Sequence, residues 1–492
     1  MAQIDAEVQD WRDRMILRGS TATRLLNDLF RSLPRHGNGR KALVVLGRDK
    51  GGFNVYTYFA ACLARHLGYD VTFLQCGGGT DVCGVRSNSD VWHPPAFCES
   101  CMAYRRSFDF EGFEVLQRNI DEVPVSYDAY SEEEISLDVD PFVQRVTFGR
   151  PPSFVDTRIR DMYRDAARRY YSTFSSVFRE GDFDLCLIMN GLGFPEATLA
   201  RVCEHQNTKT LYFDPGALRN TVFLSSQPTP HFRLDSLFSS YIETIEIDAA
   251  VERGREILLD RLSRQFSPEG KQKLLTIAGH APPHRHAIMF LPLFHDLVSM
   301  GKGPINVFES VKEVAEIAEK RTFHLYLRSH PDEVLFPKSA FTADNLVDAL
   351  GLESSPFLHV IPPQDRSNAY FLASRSELNI VYNGTLGIEL AALGYPTMNI
   401  AKSHYTDKGF SSYPEAQESI EPILLQKWGV LPSEEEVCSA LTYLHFYYDV
   451  ANLKHDMFLS DLSTVYVRSR DAALEQISRI SARAAHLLEG AT

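Results

Sequence analysis

Long apolar runs are missing from this chain: no stretch reaches the ~18–20 residues needed to cross a bilayer. A basic excess is missing too. Lys and Arg number 50 against 64 Asp and Glu, a formal net charge of −14, which argues against a nucleic-acid partner, since that requires a basic face. The start, Met1-Ala2-Gln3-Ile4-Asp5, has neither the positive nor the apolar block of a secretory signal, so a cytoplasmic protein is expected. A local basic stretch, Arg158–Arg169, reads either as a solvated helix face or as a contact for anionic lipid at the inner face of a membrane. A dinucleotide fingerprint and a Walker loop are absent, as are internal repeats and low-complexity tracts.

Cysteine is sparse, eight in 492 residues, and in a reducing compartment these read as thiols or metal ligands rather than disulfides. Cys76, Cys83, Cys98 and Cys101 form C-x6-C-x14-C-x2-C within a loop-like region. Four such thiolates satisfy tetrahedral Zn²⁺, with His93 able to replace one. A structural zinc, an iron–sulphur cluster and unligated thiols all stay open. Cys62, Cys186, Cys203 and Cys438 fall in predicted helices or strands and read as core.

What is present is an ordinary globular composition, 44% hydrophobic and 23% charged, in a chain too long for one core. After an amphipathic lead-in, Lys41–Leu46 reads as a strand, Gly47–Gly52 as a glycine loop, Tyr56–Leu67 as a helix and Asp70–Gln75 as a strand. Cys76 to Arg150 reads as irregular, with an acidic segment at Tyr130–Asp140. The α/β rhythm resumes with helix Val155–Phe178, strand Leu185–Asn190, helix Glu196–His205, strand Thr210–Phe213 and helix Ala249–Arg264. A polar linker, Ser267–His286, precedes a second set: strands Ala287–Leu291, Phe323–Leu327, Leu358–Ile361, Leu378–Tyr382 and Thr397–Ile400. Helices Val307–Lys320, Ala343–Leu350, Ser367–Ser374 and Leu386–Leu393 alternate with them, and the chain reads as helical beyond 430. The expectation is an α/β protein of two facing Rossmann-like domains with C-terminal helices. The first domain spans 1–275 with the cysteine-containing insertion, the second 276–430, and the closing helices 431–492.

Two segments carry the chemistry. Arg328-Ser329-His330-Pro331-Asp332-Glu333 and Asn383-Gly384-Thr385-Leu386-Gly387-Ile388-Glu389 each follow an apolar strand. Polar groups past the carboxyl ends of parallel strands line the ligand crevice of open α/β sheets. A small-residue turn opening a helix offers N–H groups to an anion. Thr385 reads as a phosphate ligand or as a plain N-cap, and Glu389, one turn on, as a ribose ligand or a surface carboxylate. Asp49, Gly51 and Gly52 follow the first strand, where glycine permits close backbone approach. Asp214 in Tyr212-Phe213-Asp214-Pro215-Gly216 and Glu196 after Asn190-Gly191-Leu192-Gly193 are the candidate general-base carboxylates. The loop Ser226-Gln227-Pro228-Thr229 is a further cleft candidate.

With these residues in view, Ala287–Ser412 resembles the bacterial capsule-polysaccharide synthesis glycosyltransferases, the Kdo-transferase-like proteins of GT-B fold. The resemblance rests on Ser329-His330-Pro331, on Asn383 through Ala391, on Gly394-Tyr395-Pro396 and on Tyr405-Thr406-Asp407-Lys408-Gly409-Phe410. Phe290-Leu291-Pro292-Leu293-Phe294-His295-Asp296 is similar to the family's first strand and loop of that domain, but lacks the family's Gln near Phe294. The resemblance implies transfer of a sugar from a nucleotide-sugar donor, often CMP-activated, to a glycan or lipid-linked acceptor, with no catalytic metal. His330 and Thr385 would hold the donor phosphate and nucleoside, with Arg328, Ser329, Asn383, Gly384, Gly387 and Asp296 around them. A nucleotide-sugar epimerase or hydrolase of the same architecture, or a non-catalytic scaffold of a glycan-assembly complex, are the alternatives.

Overall fold

The computed structural model describes residues 26–34, 39–46, 51–79, 82, 114–125, 129–147, 155–218, 220–265, 285–294, 296, 306–335, 341–365, 367–455, 457 and 470–489. They belong to two compact units, one of 1–143, 156–234 and 451–492, the other of 144–155 and 235–450. The strands, in chain order, are β1 (Lys41–Leu46), β2 (Asp70–Cys76), β3 (Glu114–Arg118), β4 (Leu185–Met189), β5 (Lys209–Pro215), β6 (Thr221–Ser225), β7 (His286–Phe290), β8 (His324–Arg328), β9 (Leu358–Ile361), β10 (Leu378–Val381), β11 (Thr397–Asn399) and β12 (Leu453–Lys454).

In the first unit the sheet order is β12-β6-β5-β4-β1-β2-β3. Strands β1 to β5 pair in parallel, while β6 runs antiparallel both to β5 and to the edge strand β12. The second unit's sheet is parallel throughout, in the order β11-β10-β7-β8-β9. Each sheet therefore starts from a central strand and reverses its winding beside it, between β1 and β4 in one and between β7 and β10 in the other. Such reversals open a crevice at the carboxyl edge. The α/β class expected from the sequence is the class found.

Parallel strands are covered on both faces, which is why they read as unbroken apolar runs. All of β4 and β7 is buried. Helix Gly51–His66 carries the same signature: Val55 through Ala64 are all buried. A helix apolar on every side needs partners on every side, and it shares one core with the β1 sheet and with Ala473, Ile477, Ile480 and Ala484 of helix Arg470–Glu489.

The structure departs from the sequence expectation in several places. The helix after β1 begins at Gly51, so Gly51 and Gly52 belong to its first turn and not to a loop. The region read as irregular contains β3 and helix Glu132–Val146. That helix opens with a reciprocal cap: the Ser131 N–H donates to Glu134 at 2.9 Å and the Glu134 N–H to the Ser131 hydroxyl at 3.3 Å. Its run of Glu132, Glu133 and Glu134 suits a positive helix end, although the same acidity had suggested loop. The C-terminal region is not wholly helical, since strand β12 follows helix Glu434–His445 and its π-helical continuation Phe446–Ala451.

Helix Thr157–Gly181 shows the basic stretch in place. Tyr163, Ala166, Ala167, Tyr170, Phe174, Val177 and Phe178 form the buried stripe. On the other side Arg158 pairs with Asp156 at 2.9 Å, Arg160 and Arg164 with Asp140 at 3.7 and 3.4 Å, and Arg168 with Asp165 at 2.8 Å. These arginines are matched by carboxylates. Among the described residues, no helix is long and apolar enough to cross a membrane.

Helix Ile247–Gln265, which the sequence places ahead of the linker, packs in the second unit against helix Glu434–His445. The approach is at backbone contact: a Cβ on Gly254 would stand 2.0 Å from the Leu441 carbonyl oxygen. Alanine favours helix by ~1 kcal/mol over glycine. Gly254→Ala should nevertheless destabilise, by about 1–3 kcal/mol of overpacking, in a urea unfolding curve.

Candidate functional site

Register fixes the geometry of the second unit's carboxyl edge. Phe290 pairs with both Arg328 and Val381, and Arg328 pairs with Ile361. The last residues of β10, β7, β8 and β9 thus form one row across the sheet. The segments that follow, from Tyr382, Leu291, Ser329 and Pro362, leave the sheet at one level. Strands β8 and β10 flank β7, so their ends are separated by two strand spacings, roughly 10 Å. Both motifs singled out in the sequence therefore border the winding reversal.

His330 begins the turn Pro331–Leu335. Its Nδ1 accepts the Asp332 N–H at 3.2 Å, so the neutral ring carries its proton on Nε2 and presents a donor. Burial lowers the imidazole below its ordinary range, against the raising influence of Asp332 and Asp296 and together with Arg328. Beside it, Ser329 is 1% exposed, its N–H bonded to the Ile361 carbonyl at 3.0 Å. Its hydroxyl is buried with no partner among the described residues. Asp296, in the loop after β7, is close enough for its charge to act on His330.

Arg328 is spent elsewhere. Its guanidinium donates to the carbonyls of Pro362 and Asp365 at 2.7 and 2.9 Å and is buried, which lowers its pKa. It clamps the loop after β9. Phe294, where the family's Gln was looked for, is core, with its ring 5.8 Å from Phe308 and 5.6 Å from Phe341.

Sequence reasoning passed over Glu333 although it lies in the first motif. One carboxyl oxygen accepts the His330 N–H at 3.2 Å. Burial raises its pKa from 4.5 to about 7; the His330 and Ala343 N–H groups oppose this, Asp344 adds to it and Arg328 opposes it. A carboxyl that changes charge near neutrality beside a candidate ligand group is a functional signal, one that burial alone discloses.

The second motif is a turn held from below. The Tyr405 hydroxyl donates to the Gly384 carbonyl at 2.7 Å and accepts from Asn399 Nδ2 at 2.7 Å. A Cβ on Gly387 would lie 2.2 Å from that hydroxyl, so glycine there lets the phenol reach the turn. Gly387→Ala should displace Tyr405 and loosen the turn, read as faster amide exchange at 384–388 with a stability loss of about 1–3 kcal/mol. Thr385 is helical in backbone and makes no side-chain cap, so its hydroxyl is not occupied as an N-cap. Among the described residues, the N–H groups of Gly384, Thr385 and Leu386 are bonded to nothing. The helix Leu386–Ala392 has seven residues, so these N–H groups count for more than its dipole. Asn383, at the start of the turn, is 5% exposed.

Glu389 is neither a surface carboxylate nor an open ligand. It is 3% exposed, accepts from Arg261 Nε at 2.5 Å and is bonded by the Tyr370 hydroxyl. Burial works against the Arg261 charge, but Glu389 together with Tyr448 and Tyr370 outweighs it and raises the Arg261 pKa. The carboxylate ties helix Leu386–Ala392 to helix Ile247–Gln265.

In the first unit Asp214 lies at the end of β5. Its Oδ2 accepts from Asn190 Nδ2 at 2.6 Å and lies 3.1 Å from His231 Nδ1. His231 went unnoticed in the sequence, seventeen residues from its partner. Glu196 is buried in the first turn of helix Glu196–His205. Cys76 ends β2, its Sγ accepting the Gly78 N–H at 3.3 Å and standing 3.7 Å from the Tyr170 hydroxyl. Asp49, Cys83, Cys98, Cys101 and His93 lie outside the described residues, as does the linker at 266–284.

No family model and no curated protein matches the chain. Among solved structures it is similar to the beta Kdo 2,7 transferase KpsC of Thermosulfurimonas dismutans, 11% identical over 63% of this chain and 89% of that one, with a TM-score of 0.36. It is similar to UDP-GlcNAc 2-epimerase from Neisseria meningitidis, 13% identical over 82% of this chain and 98% of that one, at 0.28. A glycosyltransferase from Rickettsia africae is 9% identical over 90% of this chain and 98% of that one, at 0.29.

Proposed function

We propose that the chain is a glycosyltransferase of surface-polysaccharide assembly, taking its sugar from a nucleotide-sugar donor whose phosphates bind at the carboxyl edge of the second sheet. The observation that carries this reading is the single row formed by Val381, Phe290, Arg328 and Ile361. It brings Ser329-His330 and Asn383-Gly384-Thr385 to one level beside the winding reversal, where open α/β sheets take ligands. The motif resemblance supplies the substrate class, a CMP-activated sugar first among candidates.

The chemistry follows from the donors. As the bond from sugar to phosphate breaks, negative charge grows on the leaving phosphate oxygen. His330 Nε2–H, the Ser329 and Thr385 hydroxyls and the N–H groups of Gly384 to Leu386 are the groups that would meet it. Preformed donors around a developing charge stabilise the transition state more than the ground state. Arg328 and Tyr405 hold the two turns and touch no substrate in this reading.

A thermal-shift screen against CMP, UDP, GDP and TDP tests the site, since a ligand bound only by the folded state raises the unfolding midpoint. Four flat responses would sink it. Incubating the protein with the sugar-bearing form of the stabilising nucleotide, without acceptor, separates transfer from the alternatives. An epimerase or hydrolase consumes the donor alone.

Glu333 gives the site a pH dependence. Below about 7 it is a neutral acid and above it an anion beside a phosphate, so nucleotide affinity should fall as pH rises through neutrality. His330 losing a proton at lower pH acts in the same direction. The stability sign agrees: folding resists ionisation of Glu333, so its contribution is fully present below about 4.5 and lost as pH climbs to about 7. Glu333→Gln should flatten both profiles, and an affinity profile unchanged by that variant removes Glu333 from the site.

A further inference from the structure

The closing helix of the first unit, Arg470–Glu489, carries a charge with no counterpart in the protein. Its core stripe is Ala473, Ile477, Ile480, Ala484 and Leu488, spaced by three and four residues and buried in one cluster with the β1 sheet and helix Gly51–His66. Arg479, Arg483 and His486 follow one another at steps of four and three along one flank of that stripe. Arg479 and His486 are exposed, and Arg483 is half-buried. The Arg479 guanidinium donates to the Lys454 carbonyl of β12. That bond uses part of its donor fork and ties the flank to the edge strand of the sheet.

Arg483 has no such anchor. Its guanidinium makes no hydrogen bond and no ion pair among the described residues, and burial alone lowers its pKa, with no carboxylate raising it. In helix Thr157–Gly181, by contrast, Arg158, Arg164 and Arg168 each stand beside a carboxylate. Arg328, likewise lowered by burial, is bonded to two backbone carbonyls. A cation partly withdrawn from water without a counter-charge is unfavourable, and a bound anion removes that penalty.

The spacing selects the anion. Four residues along a helix rise roughly 6 Å, and side chains so placed are neighbours. A carboxylate, with a single charge, is satisfied by one guanidinium fork. A phosphate monoester brings three acceptor oxygens and about two charges, enough for both forks at once.

We infer that Arg479 and Arg483 form a binding site for a phosphate monoester on the outer flank of the closing helix. The site lies wholly within the first unit and does not depend on the donor reading. A phosphate monoester reaches it either as a soluble compound or as the head group of a lipid, and the same two guanidiniums receive both.

The test uses the full chain labelled with ¹⁵N-arginine. Loss of signal in Arg483→Gln and Arg479→Gln assigns the two Nε–H resonances. Inorganic phosphate should shift both saturably, and chloride at equal ionic strength should not. Because phosphate also meets the proposed donor site, the arginine resonances carry the result. Either variant should weaken the phosphate affinity read at the remaining arginine about 10–100-fold, the worth of hydrogen bonds to a charged group. Arg158→Gln, at an arginine already paired, should leave it unchanged.

Sedimentation with phosphatidylcholine vesicles containing phosphatidic acid separates the two sources. Binding by the parent that is lost in Arg483→Gln identifies the lipid, and a phosphate shift without vesicle binding identifies the soluble ester. Arg483→Met keeps the apolar stem and drops the charge, so in phosphate-free buffer its unfolding midpoint should equal or exceed that of the parent. A lower midpoint would reveal a partner inside the protein. That result, or an Arg483 resonance that neither phosphate nor phosphatidic acid moves, overturns the site.

Discussion

Replacing His330 by alanine should weaken binding of the stabilising nucleotide by roughly 10–100-fold, the 1.5–3 kcal/mol worth of a hydrogen bond to a charged group. The unfolding midpoint without nucleotide should hardly move. The side chain is 38% exposed, and its ring bond to the Asp332 N–H closes only a local turn. Burial keeps the imidazole neutral near pH 7, so the loss is that of a directional donor more than of a charge. His330→Gln, which retains an N–H at similar reach, should recover part of the affinity, whereas His330→Phe should not. Titrating each variant with nucleotide by calorimetry reads the difference. Affinity unchanged in His330→Ala would remove the imidazole from the site.

Glu389→Ala should have the opposite profile and the largest effect on stability. It leaves Arg261 without its carboxylate at a contact only 3% exposed on the glutamate side, and breaking a buried pair from one side typically costs about 3–5 kcal/mol. The Tyr370 hydroxyl loses its acceptor as well. Because the guanidinium also lies 4.6 Å over the Tyr448 ring, it keeps a cation–π contact, and the lower half of that range is expected. Replacing both partners with Glu389→Leu and Arg261→Met should restore most of the loss, since a packed apolar pair avoids desolvating two charges. Denaturant unfolding of the two single variants and the double variant measures the coupling. Additive losses would show that the pair does not act as a unit.

What could be read from the sequence follows from what periodicity reports. Buried parallel strands advertise themselves, and β1, β9 and the helices Glu196–His205 and Ala343–Leu350 fall where the apolar pattern puts them. The pattern failed where charge obscured structure. Ser131 with Glu134 is a capping box in plain letters, but the surrounding acids read as loop. Strand β6, short, antiparallel and one strand in from the edge, has no βα rhythm to announce it.

At the site, the sequence located the strand ends but not the state of each side chain. His330, Ser329 and the 383–387 turn emerge at the expected edge, because strand order and register follow from the α/β alternation. Arg328 and Glu389 looked like ligands because they are charged and adjacent. Their partners, the loop carbonyls after β9 and Arg261, come from segments 34 to 128 residues away that no local pattern connects. His231 and Glu333 are the reverse case. One acquires meaning from Asp214 across a sheet edge, the other from burial, and neither leaves a spacing in the chain.

Amide hydrogen exchange at single-residue resolution, with and without a saturating nucleotide from the CMP, UDP, GDP and TDP set, addresses the phosphate site most directly. The N–H groups of Gly384, Thr385 and Leu386, unbonded among the described residues, should slow by at least tenfold when the nucleotide binds, together with the backbone at 329–333. A nucleotide that binds and leaves all of these amides exchanging at their free rates would place its phosphates somewhere else, and the proposed donor site would be wrong.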